Sequence, residues 1–185
     1  MNSKSTFSIF SSRDMALIGM FAACMAVISQ ISVPMPTGVP LTVQIFGVAL
    51  LGRVLGWKRG FCSICIYLLI GAVGLPVFAN FSGGASRFVS FSGGYLWSWP
   101  FMAALCGVRP KTGQPRRDWM LTLLCAFIGL ALCETIGAFQ WALLAGDKTF
   151  PAIMAYALVA FIPKDIVLML LGILTGNEIC RRIRI

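Results

Sequence analysis

A chain of 185 residues that is 58% hydrophobic and 11% charged, with a mean hydropathy of +0.88, lies far from soluble domains, where about 45–50% of residues are apolar and about 25% charged. This composition excludes an ordinary water-soluble domain, and the length holds about six membrane spans of roughly 20 residues with short connections, leaving no room for a second, soluble domain. The formal charge of +9 does not point to nucleic acid, because the basic residues sit in small groups between apolar runs, as in loops that orient a membrane protein.

The first candidate span covers residues 15–33. Phe21-Ala22-Ala23-Cys24 loosely resembles a lipoprotein cleavage site, but the apolar run continues to Ile31 and five more segments follow, so a leading span is expected rather than a mature chain starting at a lipidated Cys24. Ala16, Gly19, Ala23 and Ala26 fall at helical spacing, and Ala22 with Ala26 makes A-x-x-x-A. Such a small face lets helices approach closely, either inside the bundle or against another membrane subunit.

The second span, 41–55, is interrupted by Arg53 and is expected to begin inside the preceding Pro-rich segment, with Arg53 snorkelling to the surface. The third, 60–79, contains Cys62-x-x-Cys65 without a second Cys/His pair. These thiols and Cys24, Cys106, Cys125, Cys133 and Cys180 read as small hydrophobes rather than metal or redox groups.

Residues 74–95, GLPVFANFSGGASRFVSFSGGY, then break into a glycine-rich loop with one amide, Asn80, and one cation, Arg87. Between two spans, backbone this irregular is tolerated only where protein covers it or where it lines a cavity. The repeated Phe-Ser-Gly-Gly at 81–84 and 91–94 reads as loop flexibility and close backbone approach. Phe78, Phe81, Phe88, Phe91, Tyr95, Trp97 and Trp99 crowd the same stretch, as the wall of a pocket or as interfacial anchors.

The remaining spans are 93–108, 119–145 and 152–179. At roughly 1.5 Å per residue, Glu134 lies about 24 Å along its helix from Asp118, and Gln140 points about 120° away from Glu134. These two need not share a site, and Glu134 reads equally well as an inter-helix hydrogen-bonding group. Gly146-Asp147-Lys148-Thr149 forms a polar turn. In the last span Pro163, expected to kink the helix, precedes Lys164 and Asp165 at a depth where ionisable groups face a partner or a cavity.

With the N-terminus inside, the cytoplasmic segments hold Lys4, Arg13, Arg53, Lys58, Arg59, Arg109, Lys111, Arg116, Arg117, Arg181, Arg182 and Arg184, twelve of the fifteen basic residues. Arg87, Lys148 and Lys164 are the exceptions. This bias predicts six spans with both termini cytoplasmic.

The chain has no histidine and no G-x-x-x-x-G-K-[ST], so His-based catalysis is excluded and any ATP hydrolysis belongs to another subunit. What remains is a polar cluster in the outer half: Gln44, Asn80, Arg87, Lys164 and Asp165, with Glu134 and Gln140 as further candidates. Two cations suit a carboxylate, and a carboxylate beside an amide suits a group carrying both N–H donors and a carbonyl.

Val33-Pro34-Met35-Pro36, Pro40-Leu41-Thr42-Val43-Gln44, Gly56-Trp57-Lys58-Arg59-Gly60, the run from Tyr67 to Ala79 (YLLIGAVGLPVFA) and Gly93-Gly94-Tyr95-Leu96 resemble, in order and spacing, the biotin-specific S components of energy-coupling-factor transporters, the BioY family. The block covers about the first 60% of the chain. The resemblance implies an all-α integral membrane domain over residues 1–185, with six transmembrane helices in the cell inner or plasma membrane. It implies a vitamin pocket near the outer surface, closed by the long loop between helices three and four, and no enzymatic step or cofactor. It also implies a transmembrane coupling subunit, which would dock on the Ala16, Gly19, Ala22, Ala23 and Ala26 face, and two ATPase subunits. Asn80 and Asp165 then look like the residues that hold the ureido ring, Arg87 like a partner of the valerate carboxylate, and Lys164, Gln44 and Tyr95 like further pocket residues.

Two departures stand out. Phe91-Ser92 replaces the family's Pro-Thr before Gly-Gly-Tyr, and Leu168 occupies the position of a last-helix lysine, leaving Lys164 on the other side of the aspartate. Rival readings are an S component for another vitamin and a proton-coupled carrier using Glu134 and Asp165.

Overall fold

The computed structural model describes residues 10–36, 38–146 and 149–182. Among the residues of the charge pattern, Lys4, Lys148 and Arg184, together with Asp147 of the polar turn, lie outside them. The described residues form seven helices: α1 (Ser12–Ile28), α2 (Gln44–Leu55), α3 (Trp57–Ala72), α4 (Gly93–Cys106), α5 (Pro115–Ala145), α6 (Phe150–Ala160) and α7 (Ile162–Arg182). They also include a small antiparallel pair, β1 (Ser32–Val33) and β2 (Leu41–Thr42), with Ser32 opposite Thr42.

This pair corrects the all-helical expectation for 15–33 and 41–55. Pro34, Pro36 and Pro40 lack the N–H a helix needs, so α1 stops at Ile28 and the chain folds back before α2 begins at Gln44. The third expected span also shortens, because α3 ends at Ala72 and residues 73–92 leave it as a loop with 3₁₀ turns at Ala79–Phe81 and Ala85–Val89. The last span is two helices bent by 54°. Pro163 sits in the first turn of α7, where its missing N–H costs nothing, so the break falls just before it.

Length and apolarity alone let α5 cross a bilayer by itself, and α6 with α7 pass together as a bent pair. By contrast α2, with 12 residues, rises only about 18 Å against a hydrocarbon core of about 30 Å. The outer surface nevertheless suits lipid. Leu124, Ile128, Leu132 and Phe139 on α5, Leu171 and Leu174 on α7, and Leu69 on α3 are exposed, the reverse of a soluble bundle, whose outward face is polar.

Packing rests on close approaches. A Cβ at Gly94 of α4 would lie 2.5 Å from the Ile136 carbonyl oxygen and 2.9 Å from Gly137 Cα on α5. At Gly71 it would strike the buried Phe78 ring, so the loop after α3 folds back on the helix it leaves. Arg53 does not snorkel as expected. It is half-buried, its Nε donates to Asn177 Oδ1 at 2.5 Å, and its guanidinium reaches the Val108 carbonyl at 3.3 Å, tying α2 to α7 and to the end of α4.

At the same end α1 opens with a capping box. Ser11 Oγ accepts from the Asp14 N–H at 3.2 Å, and Asp14 accepts from the Ser11 N–H at 3.0 Å. Arg59 Nε lies 3.1 Å from Asp14, joining α3 to α1. The Ser11 N–H above all, with Arg59 added, holds the Asp14 carboxyl below its ordinary value. Its contribution is therefore present at neutral pH and lost only as acid protonates it in the folded protein.

The small face of α1 splits. Ala16, Gly19 and Ala23 are exposed and a Cβ at Gly19 would meet nothing within 4 Å, whereas Ala22 is in the core at 2% exposure and Ala26 is partly buried. The outward surface is therefore Ala16, Gly19 and Ala23, and Ala22 belongs to the interior.

Candidate functional site

A cavity of about 890 Å³, counting the solvent at its mouth, opens between the β1–β2 segment, the loop after α3, and the facing parts of α4, α5 and α7. Gln44, Asn80, Arg87, Tyr95, Glu134, Lys164 and Asp165 all line it. Five separate stretches of chain supply them: α2, the loop after α3, α4, α5 and α7. Gln140 is the exception among the expected polar residues.

Asn80 stands on strained backbone, with φ 57° followed by Phe81 at φ 51°, the left-handed region that a bulky residue rarely enters. The turn is held from the α1 side. The Phe81 N–H donates to Gln30 Oε1 at 2.9 Å, and Ser32 Oγ donates to Asn80 Oδ1 at 2.9 Å. With its oxygen engaged, the Asn80 amide offers N–H donors to the cavity. Ser29 Oγ donates to the Val77 carbonyl at 2.5 Å and Tyr67 to the same oxygen at 3.0 Å, fixing the loop's first half, while Gln44 Nε2 lies 3.3 Å from the Tyr67 hydroxyl.

Lys164 and Asp165 are neighbours on α7, where helical rotation alone would separate them by about 100°. The long lysine stem closes that gap. Lys164 Nζ donates to Asp165 Oδ1 at 2.5 Å and to the Thr42 carbonyl on β2 at 3.0 Å. Lys164 thus places a cation beside Asp165 from the preceding position in the chain.

Arg87 lies at the rim, exposed, and its guanidinium has no hydrogen bond or ion pair among the described residues. Gln140 instead grips the loop beside it. Its Nε2 donates to the carbonyls of Phe88 at 2.8 Å and Ser90 at 2.9 Å. Glu134 and Gln140, on one helix, therefore serve different places, as their angular separation suggests.

The aromatic wall divides too. Phe78, Tyr95 and Trp99 line the cavity together with Phe161 from the α6–α7 bend. Phe88 backs Phe78, with ring centroids 5.8 Å apart. Phe81 and Trp97 are exposed, and Trp97 donates its indole N–H to the Phe88 carbonyl at 3.3 Å. Phe91 packs on Gly38, so the loop meets the β1–β2 connection across the mouth.

Sequence reasoning did not single out Thr42, Ser82, Ser92 or Phe161 as pocket residues, nor Trp99 as a polar group. The Thr42 carbonyl carries no side-chain signal. Phe161 was hidden inside an apolar run, and only the proline two residues on hinted at the bend.

The model of the BioY family matches residues 1–185. A protein of Pyrococcus horikoshii described as a probable biotin transporter BioY is 37% identical over 155 residues, 84% of this chain and 88% of its own. The biotin transporter BioY of Rhizobium etli is 32% identical over 181 residues, covering 91% of this chain and 94% of its own. A crystal structure of the S-component for biotin from an ECF-type ABC transporter superposes with a TM-score of 0.82 over 96% of this chain and 95% of that one, at 23% identity, and so shares the fold.

Proposed function

The chain belongs to the BioY family, and from that premise we propose that it is a biotin-binding S component: a membrane protein that captures the vitamin and performs no chemistry on it. The observation that carries this reading is the cavity itself. It sets a carboxylate (Asp165) and amide donors (Asn80) against an aromatic wall, with an exposed cation (Arg87) at the rim. Biotin has the matching parts in the matching order: a urea with N–H donors and a carbonyl, an apolar bicycle, and a chain ending in a carboxylate. Burial of the bicycle supplies affinity at roughly 25 cal/mol per Å², and the polar groups supply orientation.

In this reading the chain spans the membrane six times with both termini cytoplasmic, the short helices being extended by their flanking segments and α6 with α7 forming one bent span. The 73–92 loop is the outer lid. A transmembrane coupling subunit and two ATPase subunits complete the transporter, and the exposed Ala16, Gly19 and Ala23 of α1 provide a smooth docking face.

The deciding experiment is titration of the purified chain with labelled biotin, competed by other vitamins. Saturable binding in the micromolar range or tighter is expected, and its absence refutes the reading. Arg87→Ala should weaken biotin about tenfold, since charge-assisted bonds are strong but this one is near solvent. A carboxyl-neutral biotin amide should lose little, and equal losses for both ligands would refute the pairing.

Gln140→Ala removes two hydrogen bonds to the lid, each worth about 1 kcal/mol. Release of labelled biotin should accelerate by roughly 30-fold, with capture changed much less. An unchanged release rate would show that the loop is held by other contacts.

A further inference from the structure

Among the described residues, three buried polar side chains of the pocket meet no N–H or hydroxyl partner. Glu134 on α5 is 2% exposed with neither carboxylate oxygen hydrogen-bonded, and the Tyr95 hydroxyl and Trp99 Nε1 on α4, in residues 9% and 5% exposed, are likewise unbonded among the described residues. All three line the same cavity. Leaving such groups unsatisfied is costly, so a wall that keeps them together is shaped for something that bonds there.

Packing sets them side by side. The Tyr95 ring lies on Gly137, where an added Cβ would fall 2.4 Å from its Cε1 and Cζ atoms, and Gly137 is one helical turn beyond Glu134. Trp99 is one turn along α4 from Tyr95. Glu134 meets Asp165 carboxyl to carboxyl, with the Lys164 cation near enough to act on both. Two carboxyls in contact bond only by sharing a proton, a bond that a ligand N–H can replace, and the Lys164 ammonium is already held by Asp165 and the Thr42 carbonyl. Glu134 is thus the pocket carboxylate with no hydrogen-bonded cation among the described residues.

Each edge of a cyclic urea presents an N–H beside the shared carbonyl, so its complement is an acceptor beside a donor. Glu134 is the acceptor, and the Tyr95 O–H and Trp99 N–H are donors. Resting on the biotin reading above, we propose that Glu134 accepts one N–H of the ureido ring while Tyr95 and Trp99 donate to its carbonyl, so that the α4–α5 wall determines head-group specificity together with Asp165 and Asn80.

The test uses the full chain in detergent, titrated with biotin, with desthiobiotin, which keeps the urea and lacks the sulfur, and with 2-iminobiotin, whose urea carbonyl is replaced and whose head is cationic at neutral pH. Glu134→Gln should weaken biotin and desthiobiotin together by about tenfold and 2-iminobiotin by roughly tenfold more, since a cationic head gains most from the carboxylate. Tyr95→Phe should weaken biotin several-fold, about threefold to tenfold, and 2-iminobiotin little, because that head has no carbonyl to receive the hydroxyl.

Unchanged biotin affinity in both variants, or equal losses on biotin and 2-iminobiotin in both, overturns the proposal, since a merely structural role would not distinguish the ligands. If Glu134→Gln fails to fold, the ligand pattern of Tyr95→Phe decides alone. Biotin binding by the unaltered chain with a flat variant pattern sinks this assignment and leaves the function standing. No binding by the unaltered chain overturns both.

Discussion

Asp165→Asn is expected to lower biotin affinity by about 100-fold. The Asp165 side chain is 5% exposed and lies 2.5 Å from Lys164 Nζ, whose own side chain is 30% exposed. Removing one member of a buried pair costs about 3–5 kcal/mol. That cost falls on the empty and the loaded protein alike; what affinity loses is the charge-assisted bond from a ligand N–H to the carboxylate, worth about 1.5–3 kcal/mol, whose upper end is two powers of ten in a dissociation constant. Asparagine also cannot accept an N–H as strongly as a carboxylate. Titration calorimetry on the purified variant reads the effect, and an affinity within about threefold of the unaltered chain would remove Asp165 from the site. Adding Lys164→Met should recover part of the stability lost in the single variant, since a neutral pair avoids the stranded ammonium.

The second large effect concerns the scaffold. Gly94→Ala places a methyl 2.5 Å from the Ile136 carbonyl and 2.9 Å from Gly137 Cα, both backbone atoms of α5. Overpacking costs about 1–3 kcal/mol when side chains can yield. Here a helix must move, so the upper end is expected, a fall of roughly 10 °C in the melting temperature followed by tryptophan fluorescence in detergent. Biotin affinity should fall with it, because Tyr95 and Glu134 ride on the two displaced helices. Gly19→Ala is the matched control. Its Cβ meets nothing within 4 Å, and both stability and binding should stay as they were. A Gly94→Ala chain as stable as the control would show that α4 and α5 do not approach so closely.

These two sites show how differently sequence and structure speak. Asp165 was legible early, since a carboxylate after Pro163 in an apolar segment calls for a partner or a cavity. Gly94 was legible only as part of a flexible repeat. Its role as the point where two helices nearly touch depends on the facing residue, Ile136, more than forty positions away. The same holds for the β1–β2 pair. Its prolines announced irregularity, but the return of Leu41–Thr42 onto Ser32–Val33 is a long-range pairing that no local pattern encodes.

Composition and apolar periodicity by themselves determined that the chain belongs in a membrane, roughly where its helices lie, and which few polar residues had to be accounted for. That much follows because hydrophobicity is a property of each residue and adds along the chain. Tertiary structure decided which of those residues meet. It turned Gln140 toward the 73–92 loop and Glu134 toward the pocket, let Lys164 reach back to Asp165, put Ala22 in the core, and left Arg87 exposed at the rim. Convergence depends on interhelical distances of a few ångströms, set by side-chain volumes on facing helices, and a one-dimensional pattern carries no record of what faces what.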